Sequence, residues 1–368
     1  MAVEAKTSAG LPATYRAVAE LDVGHLEALR LILRGGSVVD WRRLHFGDAA
    51  AVDHFLRLNL FDLSDPRDER RLRAILGQAV DYLRTAFGYR VAGAVASPRD
   101  VRDLFLLASG AAEPHRYRRI ACVVLKCMHV VHHLEARELL FRAPVREADL
   151  AELVDRRIMG EARRMVENGF PIVEFHGNVK TRSSLVTKLL AKRETVAAQI
   201  FDRLRYRVVT ERRDQIASVL HHLEQHLFPF NFVVPGQTQN NLVKFRQVLH
   251  QHPRAEALAA ELQMPLDLES SDPRKVNEFS GEGYRVLNFV VDLPVRIDAY
   301  LPPEEAARAV FALVEFQIMD VATARHNEEG ESAHERYKRR QLKKVLRRLS
   351  RGLVVPKRLK KVHHEEGK

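Results

Sequence analysis

Residues 310–320 read VFALVEFQIMD, and within that run Glu315 stands among almost uninterrupted apolar neighbours. A short apolar run rich in β-branched and aromatic residues predicts a strand in the middle of a sheet. Strand alternation places Glu315 on one face with Leu313 and Gln317, opposite Val314, Phe316 and Ile318. A carboxylate partly buried in a sheet is costly unless a cation or a hydrogen-bond donor compensates it. Glu315 is therefore either a functional group or the mark of a strand end emerging into solvent.

Further β-rich runs lie on the N-terminal side of this stretch: PIVEFHG (171–177), RYRVVT (205–210), FNFVVPG (230–236) and YRVLNFVVDLP (284–294). Helical runs separate some of them, notably SSLVTKLLAKRETVAAQIF (183–201) and RDQIASVLHHLEQHLF (213–228). The alternation predicts a mixed sheet flanked by helices, hence an α+β or α/β domain. The first ~150 residues read differently. VGHLEALRLILRGG (23–36), DERRLRAILGQAVDYLRTAFG (68–88) and PRDVRDLFLLASG (98–110) space their apolar residues by three and four, as helices do. Asp65-Pro66 marks a helix start, Gly88 a helix end and Gly35-Gly36 a break. Three parts result: a helical region (1–160), a sheet domain (161–340) and a basic tail (341–368).

The chain has 368 residues, 46% of them hydrophobic, enough for a sizeable core, and a formal net charge of +11. Charges interrupt every apolar run well short of the ~18–20 residues that cross a bilayer. The start, MAVEAKTSAGLPATYRAVAE, lacks the pattern of a signal peptide, and two cysteines make no disulfide framework. A cytoplasmic protein away from the membrane is expected. The positive balance favours anionic partners such as nucleotides or RNA. From Arg336 to Lys361 no acidic residue occurs, so the tail either keeps the chain soluble or grips phosphate backbones.

Two further groups carry chemistry that a phosphate ligand would use. In GNVKTRSSLVTK (177–188), Lys180, Ser184 and Lys188 recur every fourth residue, with Arg182 nearby. On a helix these residues line one face near its N-terminal end, a polyphosphate site or a solvated basic face. Asp202 opens the run into RYRVVT, and only sheet pairing could unite it with Glu315. It is a Mg²⁺ ligand or a helix–strand junction residue. Two histidine groups are read as structural. Cys122, Cys127, His129, His132 and His133 are expected to be core cysteines with histidines at a polar edge. HHLEQH (221–226) is expected on a surface helix.

The order of these segments resembles the RelA/SpoT alarmone synthetases, over about residues 172–338. The family's Arg-x-Lys-x-x-x-Ser-x-x-x-Lys motif is matched by Lys180, Ser184 and Lys188, with Asn178 where the Arg would be. Its metal Asp, ahead of an Arg-hydrophobic-Val strand, is matched by Asp202 and Arg207-Val208-Val209. Its Gly-Tyr-x-Ser-Leu-His segment is matched by Gly283 and Tyr284, while Val286 and Asn288 replace Ser and His. Its Glu-x-Gln-Ile-Arg-Thr strand is matched by Glu315, Gln317 and Ile318, then departs at Met319-Asp320. Its Ala-Glu-x-Gly-x-Ala-Ala-His-x-x-Tyr-Lys segment resembles NEEGESAHERYK (327–338), which carries His334.

The resemblance implies a nucleotidyltransferase-like sheet that moves the β,γ-pyrophosphate of ATP to the 3′-hydroxyl of a guanine nucleotide. Asp202 and Glu315 would hold Mg²⁺. Lys180, Arg182, Ser184 and Lys188 would bind phosphates, Tyr284 would stack on the acceptor base, and Gln317 and His334 would complete the substrate site. The departures leave two other readings open: a relative that modifies RNA, and a catalytically silent regulator that binds nucleotide or RNA.

Overall fold

The structure, a computed structural model, describes residues 2–4, 15–36, 45–191, 203–262, 283–303, 305, 307–328 and 334–349. Helices α1 (Val23–Arg34), α2 (Ala49–Leu58), α3 (Pro66–Phe87), α4 (Gly93–Ala96), α5 (Arg102–Ser109), α6 (Arg118–Arg142) and α7 (Glu147–Glu167) fill the first part, preceded by a short strand, β1 (Ala2–Glu4). There follow β2 (Ile172–Val179), α8 (Arg182–Ala191), β3 (Leu204–Thr210), α9 (Ile216–His226), β4 (Gln239–Asn240), α10 (Phe245–Leu249), α11 (Ala255–Glu261), β5 (Leu287–Arg296), β6 (Ala309–Asp320), α12 (Val321–Glu328) and α13 (His334–Leu349). Among the described residues no helix is long and apolar enough to cross a membrane.

The helix boundaries follow local chemistry. Asp65 caps α3 by accepting from the Arg67 N–H, Pro66 begins it, and Gly88 ends it in the left-handed conformation at φ 67°. Gly35 closes α1 the same way, at φ 63°.

The strands form one mixed sheet in the order β1-β2-β3-β6-β5-β4. β3 and β6 run parallel, and the other neighbours pair antiparallel. The fold is thus α+β, a helical region followed by a mixed sheet with helices around it. β6 lies between β3 and β5, which fixes its register on both sides. One sheet face is apolar: Phe175, Tyr206, Val208, Phe289, Phe316 and Ile318 are almost fully buried there. Helices α7 and α9 supply the opposing layer, with Val154, Ile158, Ala162, Val219, Leu220 and Leu223 in the same core cluster. Helix α1 joins that cluster through Leu26, Leu29 and Ile32. A second cluster spans Phe46 to Met128 and draws on α2 to α6 and the segments that flank them.

The run 230–236 is not a strand. Residues 230–232 make a 3₁₀ turn after Pro229, and only Val233 bridges to β5, at Val291. Pro229 precedes the run and Pro235 lies inside it, and its buried Phe232 packs in the sheet-side core rather than alternating between two faces.

Gly177 of β2 has no room for a side chain. A Cβ there would meet the Tyr206 ring 2.5 Å away. That ring is buried, and its hydroxyl donates to Asp155 of α7 at 3.0 Å, so it has nowhere to retreat. Gly77, inside α3, has open space around it. Gly177→Ala should lower stability by about 1–3 kcal/mol, and Gly77→Ala should raise it by about 0.5–1 kcal/mol. Urea unfolding of the two variants checks both signs.

Candidate functional site

Because directly paired residues share a sheet face, the register builds a polar surface on the side opposite the core. Asn178, Arg205 and Glu315 form one row across β2, β3 and β6. His176, Arg207, Gln317 and Asn288 form the next row, reaching β5. Glu315 is 5% exposed, and its compensation is at hand. Arg205 Nε donates to Oε2 at 2.7 Å, Asn288 Nδ2 donates to Oε1 at 2.7 Å, and Gln317 Nε2 approaches Oε1 at 3.5 Å. Of the two readings of Glu315, a strand end in solvent is ruled out.

Arg207 turns to other carboxylates. It donates to Glu328 at the end of α12 at 2.7 Å and lies 3.6 Å from Glu174 of β2, which also binds His176 at 2.6 Å. Asn288 Oδ1 is buried and has no hydrogen-bond partner among the described residues, an acceptor open to a ligand N–H or O–H.

Lys180 follows β2, and its N–H extends the ladder to the Arg203 carbonyl at 2.9 Å. Thr181 immediately precedes α8: its carbonyl accepts from the Leu185 N–H, and its hydroxyl lies 3.0 Å from that of Ser184. Ser184 is exposed in the first turn of α8. Only the backbone of Arg182 and Lys188 is described, and both lie on α8 as expected. His334 opens α13, which packs against α8, so the last motif returns to the first. Asp202 lies outside the described residues.

Tyr284 sits at the other end of the sheet. Leu287, three residues later, pairs with Ile318, whereas Lys180 follows the pairing of Val179 with Leu204 and of Leu204 with Val314. Tyr284 is half-buried against the sheet core, and two asparagines bracket its segment. Asn241 donates to the Tyr284 carbonyl at 2.8 Å and accepts from the Val286 N–H at 2.7 Å. Asn327 of α12 donates to the Arg285 carbonyl at 2.7 Å and accepts from its N–H at 3.1 Å.

The structure thus gathers Glu315 and Gln317 in one cluster, holds Lys180 and Ser184 at one end of the sheet, and sets Tyr284 apart at the other. The sequence reading missed Arg205 as a site residue. Its signal was the alternation in RYRVVT, which puts Arg205 and Arg207 on one face of a strand paired with β6. Asn241 and Asn327 left no such signal.

A divalent ion is the partner expected at Glu315. Mg²⁺ bonds oxygen at about 2.0–2.1 Å and prefers one or two carboxylates with phosphates and water. Here both oxygens of Glu315 already accept hydrogen bonds, one from a guanidinium. No group of three or more His, Cys, Asp or Glu among the described residues is arranged to hold a metal. Of the two carboxylates expected to hold the ion, Glu315 is the described one, and its charge is already met by Arg205.

Both histidine groups are more buried than expected. His132 is 5% exposed, while His133 stacks on Phe311 at 4.2 Å and contacts Asp292 at 3.2 Å, so α6 covers the far half of the Glu315 face. Helix α9 is buried rather than superficial, because α1, α2 and α7 all press on it. His221 meets His25 at 4.6 Å, His226 lies 6.4 Å from His54, and His222 binds Glu161 at 2.8 Å. Burial pushes His129 and His221 down to about 3 and His132 well below the ordinary histidine value. Burial also pushes Glu224 up to about 7.

No family profile matches the sequence, and no curated protein matches it. Among solved structures, the chain is similar to the small alarmone synthetase 2 from Bacillus subtilis, at 17% identity over 58% of this chain and 86% of that one, with a TM-score of 0.27. It is also similar to the small alarmone synthetase 1 from Bacillus subtilis bound to its product pppGpp, at 16% identity over 69% and 100% of the two chains and a TM-score of 0.28. A GTP pyrophosphokinase family protein from Streptococcus pneumoniae stands at 16% identity, 55% and 84% coverage and a TM-score of 0.27.

The buried histidines set an acid limit. Each takes up a proton in the unfolded chain below pH ~6.5 but not in the folded one, so its stabilisation is present above that pH and lost as pH falls. Glu224 acts oppositely, stabilising at low pH and losing that contribution as pH rises through about 7. Three histidines outweigh one carboxyl. Stability in urea should drop by on the order of 1–3 kcal/mol between pH 7.5 and 5. A flat or rising midpoint contradicts this.

Proposed function

We propose that the polar sheet face is the site of a pyrophosphotransferase that takes ATP as donor and a guanine or other nucleotide as acceptor. The observation that carries this reading is the buried Glu315, held by Arg205, Asn288 and Gln317 in the centre of that face. The two ends of the sheet suit two substrates. Lys180, Arg182, Ser184 and Lys188, with His334 on the neighbouring helix, would take the ATP polyphosphate at the α8 end. Tyr284, its backbone fixed by Asn241 and Asn327, would stack on the acceptor base at the other end. Mg²⁺ enters as part of the MgATP substrate, and Asp202 is proposed as a carboxylate that meets it.

In the reaction the acceptor 3′-oxygen attacks the β-phosphorus of ATP. The bond from that phosphorus to the α-phosphate oxygen breaks, and AMP leaves with the electron pair. Glu315 accepts the hydroxyl proton or its hydrogen bond, while Gln317 and Asn288 keep the carboxylate in place. The remainder is positioning and charge neutralisation by arginine and lysine, which suits phosphoryl chemistry in a site without a protein nucleophile. A second reading, a silent nucleotide- or RNA-binding regulator, is favoured by one feature: Glu315 is already paired with Arg205. The basic tail is the proposed RNA contact in that reading and in the RNA-modifying one.

Incubation with γ-labelled ATP, Mg²⁺ and either GDP, GTP, ATP or bulk tRNA separates them. Label is expected on a nucleotide, and Glu315→Gln should cut the transfer rate by about 10²-fold or more. Tyr284→Ala should raise the acceptor KM with a loss of about 1–3 kcal/mol, and Tyr284→Phe should restore it. Label on tRNA selects the RNA reading, and nucleotide binding without transfer selects the regulator.

A further inference from the structure

We propose that Arg205 is the resident counter-cation of Glu315, so that the nucleotide-free site excludes divalent ions and receives one only together with a polyphosphate. The inference concerns the charge balance of the site proposed above and rests on that reading for the polyphosphate. Arg205 and Glu315 are direct register partners on adjacent parallel strands, so the contact is built into the sheet rather than made by a wandering side chain. The guanidinium keeps its charge at any physiological pH, whereas histidine or lysine can lose theirs.

Position matters as much as charge. The Arg205 side chain is 28% exposed and that of Glu315 only 6%, so an ion arriving from solvent meets the cation before the carboxylate. The other oxygen of Glu315 is held by Asn288, whose amide adds a donor and no negative charge. Arg207 does not compete for the carboxylate, being paired with Glu328 and close to Glu174. With Arg205 in place, a buried carboxylate that would attract a metal has its charge already cancelled.

A polyphosphate changes the balance. Its oxygens match the guanidinium fork as well as a carboxylate does, so Arg205 has a second anion to turn to when nucleotide binds. The carboxylate is then exposed to the ion that the nucleotide carries. No chemistry beyond exchange of ion-pair partners is involved.

Mn²⁺, detected by electron paramagnetic resonance, tests this in the nucleotide-free, full-length protein. Wild type and Glu315→Gln should bind Mn²⁺ equally weakly, Arg205→Ala should bind at least about 10-fold more tightly, and Arg205→Ala/Glu315→Gln should lose the gain. Arg205→Lys, which keeps the charge, should stay weak and guards against loss of fold in the alanine variant. Mn²⁺ binding by wild type that disappears in Glu315→Gln overturns the proposal, as does equal binding by wild type and a folded Arg205→Ala. No turnover is read, so absence of pyrophosphate transfer bears on the proposed function alone. Transfer activity with tight, Glu315-dependent Mn²⁺ binding sinks this inference and leaves that function standing.

Discussion

A carboxylate inside a sheet strand that is hydrogen-bonded on both sides is the constraint around which this fold is arranged. Glu315 cannot slide toward solvent, because β3 and β5 fix β6 residue by residue over its length. A one-residue slip would carry Glu315 into the aromatic face beside Phe289 and turn Phe316 and Ile318 out onto the polar face. The charge must therefore be met where it stands, and the neighbouring strands meet it. Arg205 comes from β3, Asn288 from β5 and Gln317 from β6 itself. The polar face exists because each strand contributes in register to the same problem.

That solution divides labour between the two faces. The apolar face carries the cohesion: Phe228, Phe289 and Phe316 pack ring on ring, while α7 and α9 close over them. The polar face is only partly covered. Helix α6 lies over its far half through His133, Phe311 and Asp292, and α12 reaches its other end through Glu328. The helical region is tied to the sheet by buried polar contacts as well, among them Arg296 of β5 with Asp68 of α3 at 2.5 Å. What lies between α6 and α12 is the cluster around Glu315, placed by the same helices that stabilise the sheet.

Much of this was legible in the residues. VFALVEFQIMD announced a central strand with one misplaced charge, and it is one. The alternating runs around 172, 205 and 287 became β2, β3 and β5, and the capping residues of α1 and α3 act as their types require. FNFVVPG misled because its composition is that of a strand, while Pro229 before it and Pro235 within it limit its pairing with β5 to a single bridge. The burial of α9 was hidden for a different reason. HHLEQH is polar by composition, but three helices converge on it, and local sequence does not record such packing. Asn241 and Asn327 were illegible for the same cause, since each acts on a backbone segment more than 40 positions away.

The charge of the polar face argues against regarding it as a simple anion trap. The chain carries +11 overall, yet at this face Arg205 and Arg207 stand against Glu315, Glu174 and Glu328. Among the described residues, two arginines meet three carboxylates there, with His176 beside Glu174. An anion approaching the centre of the face finds little net attraction. Under the proposed function, affinity for a phosphate would come either from the lysines at the α8 end or from arginines that exchange their carboxylates for it. Interactions of the second kind are weak before binding and strong after it, which is the property a transfer site needs if it is to favour a reacting complex over a resting one. A face built from paired opposite charges, rather than from unopposed cations, supplies that difference without requiring any backbone movement in the sheet.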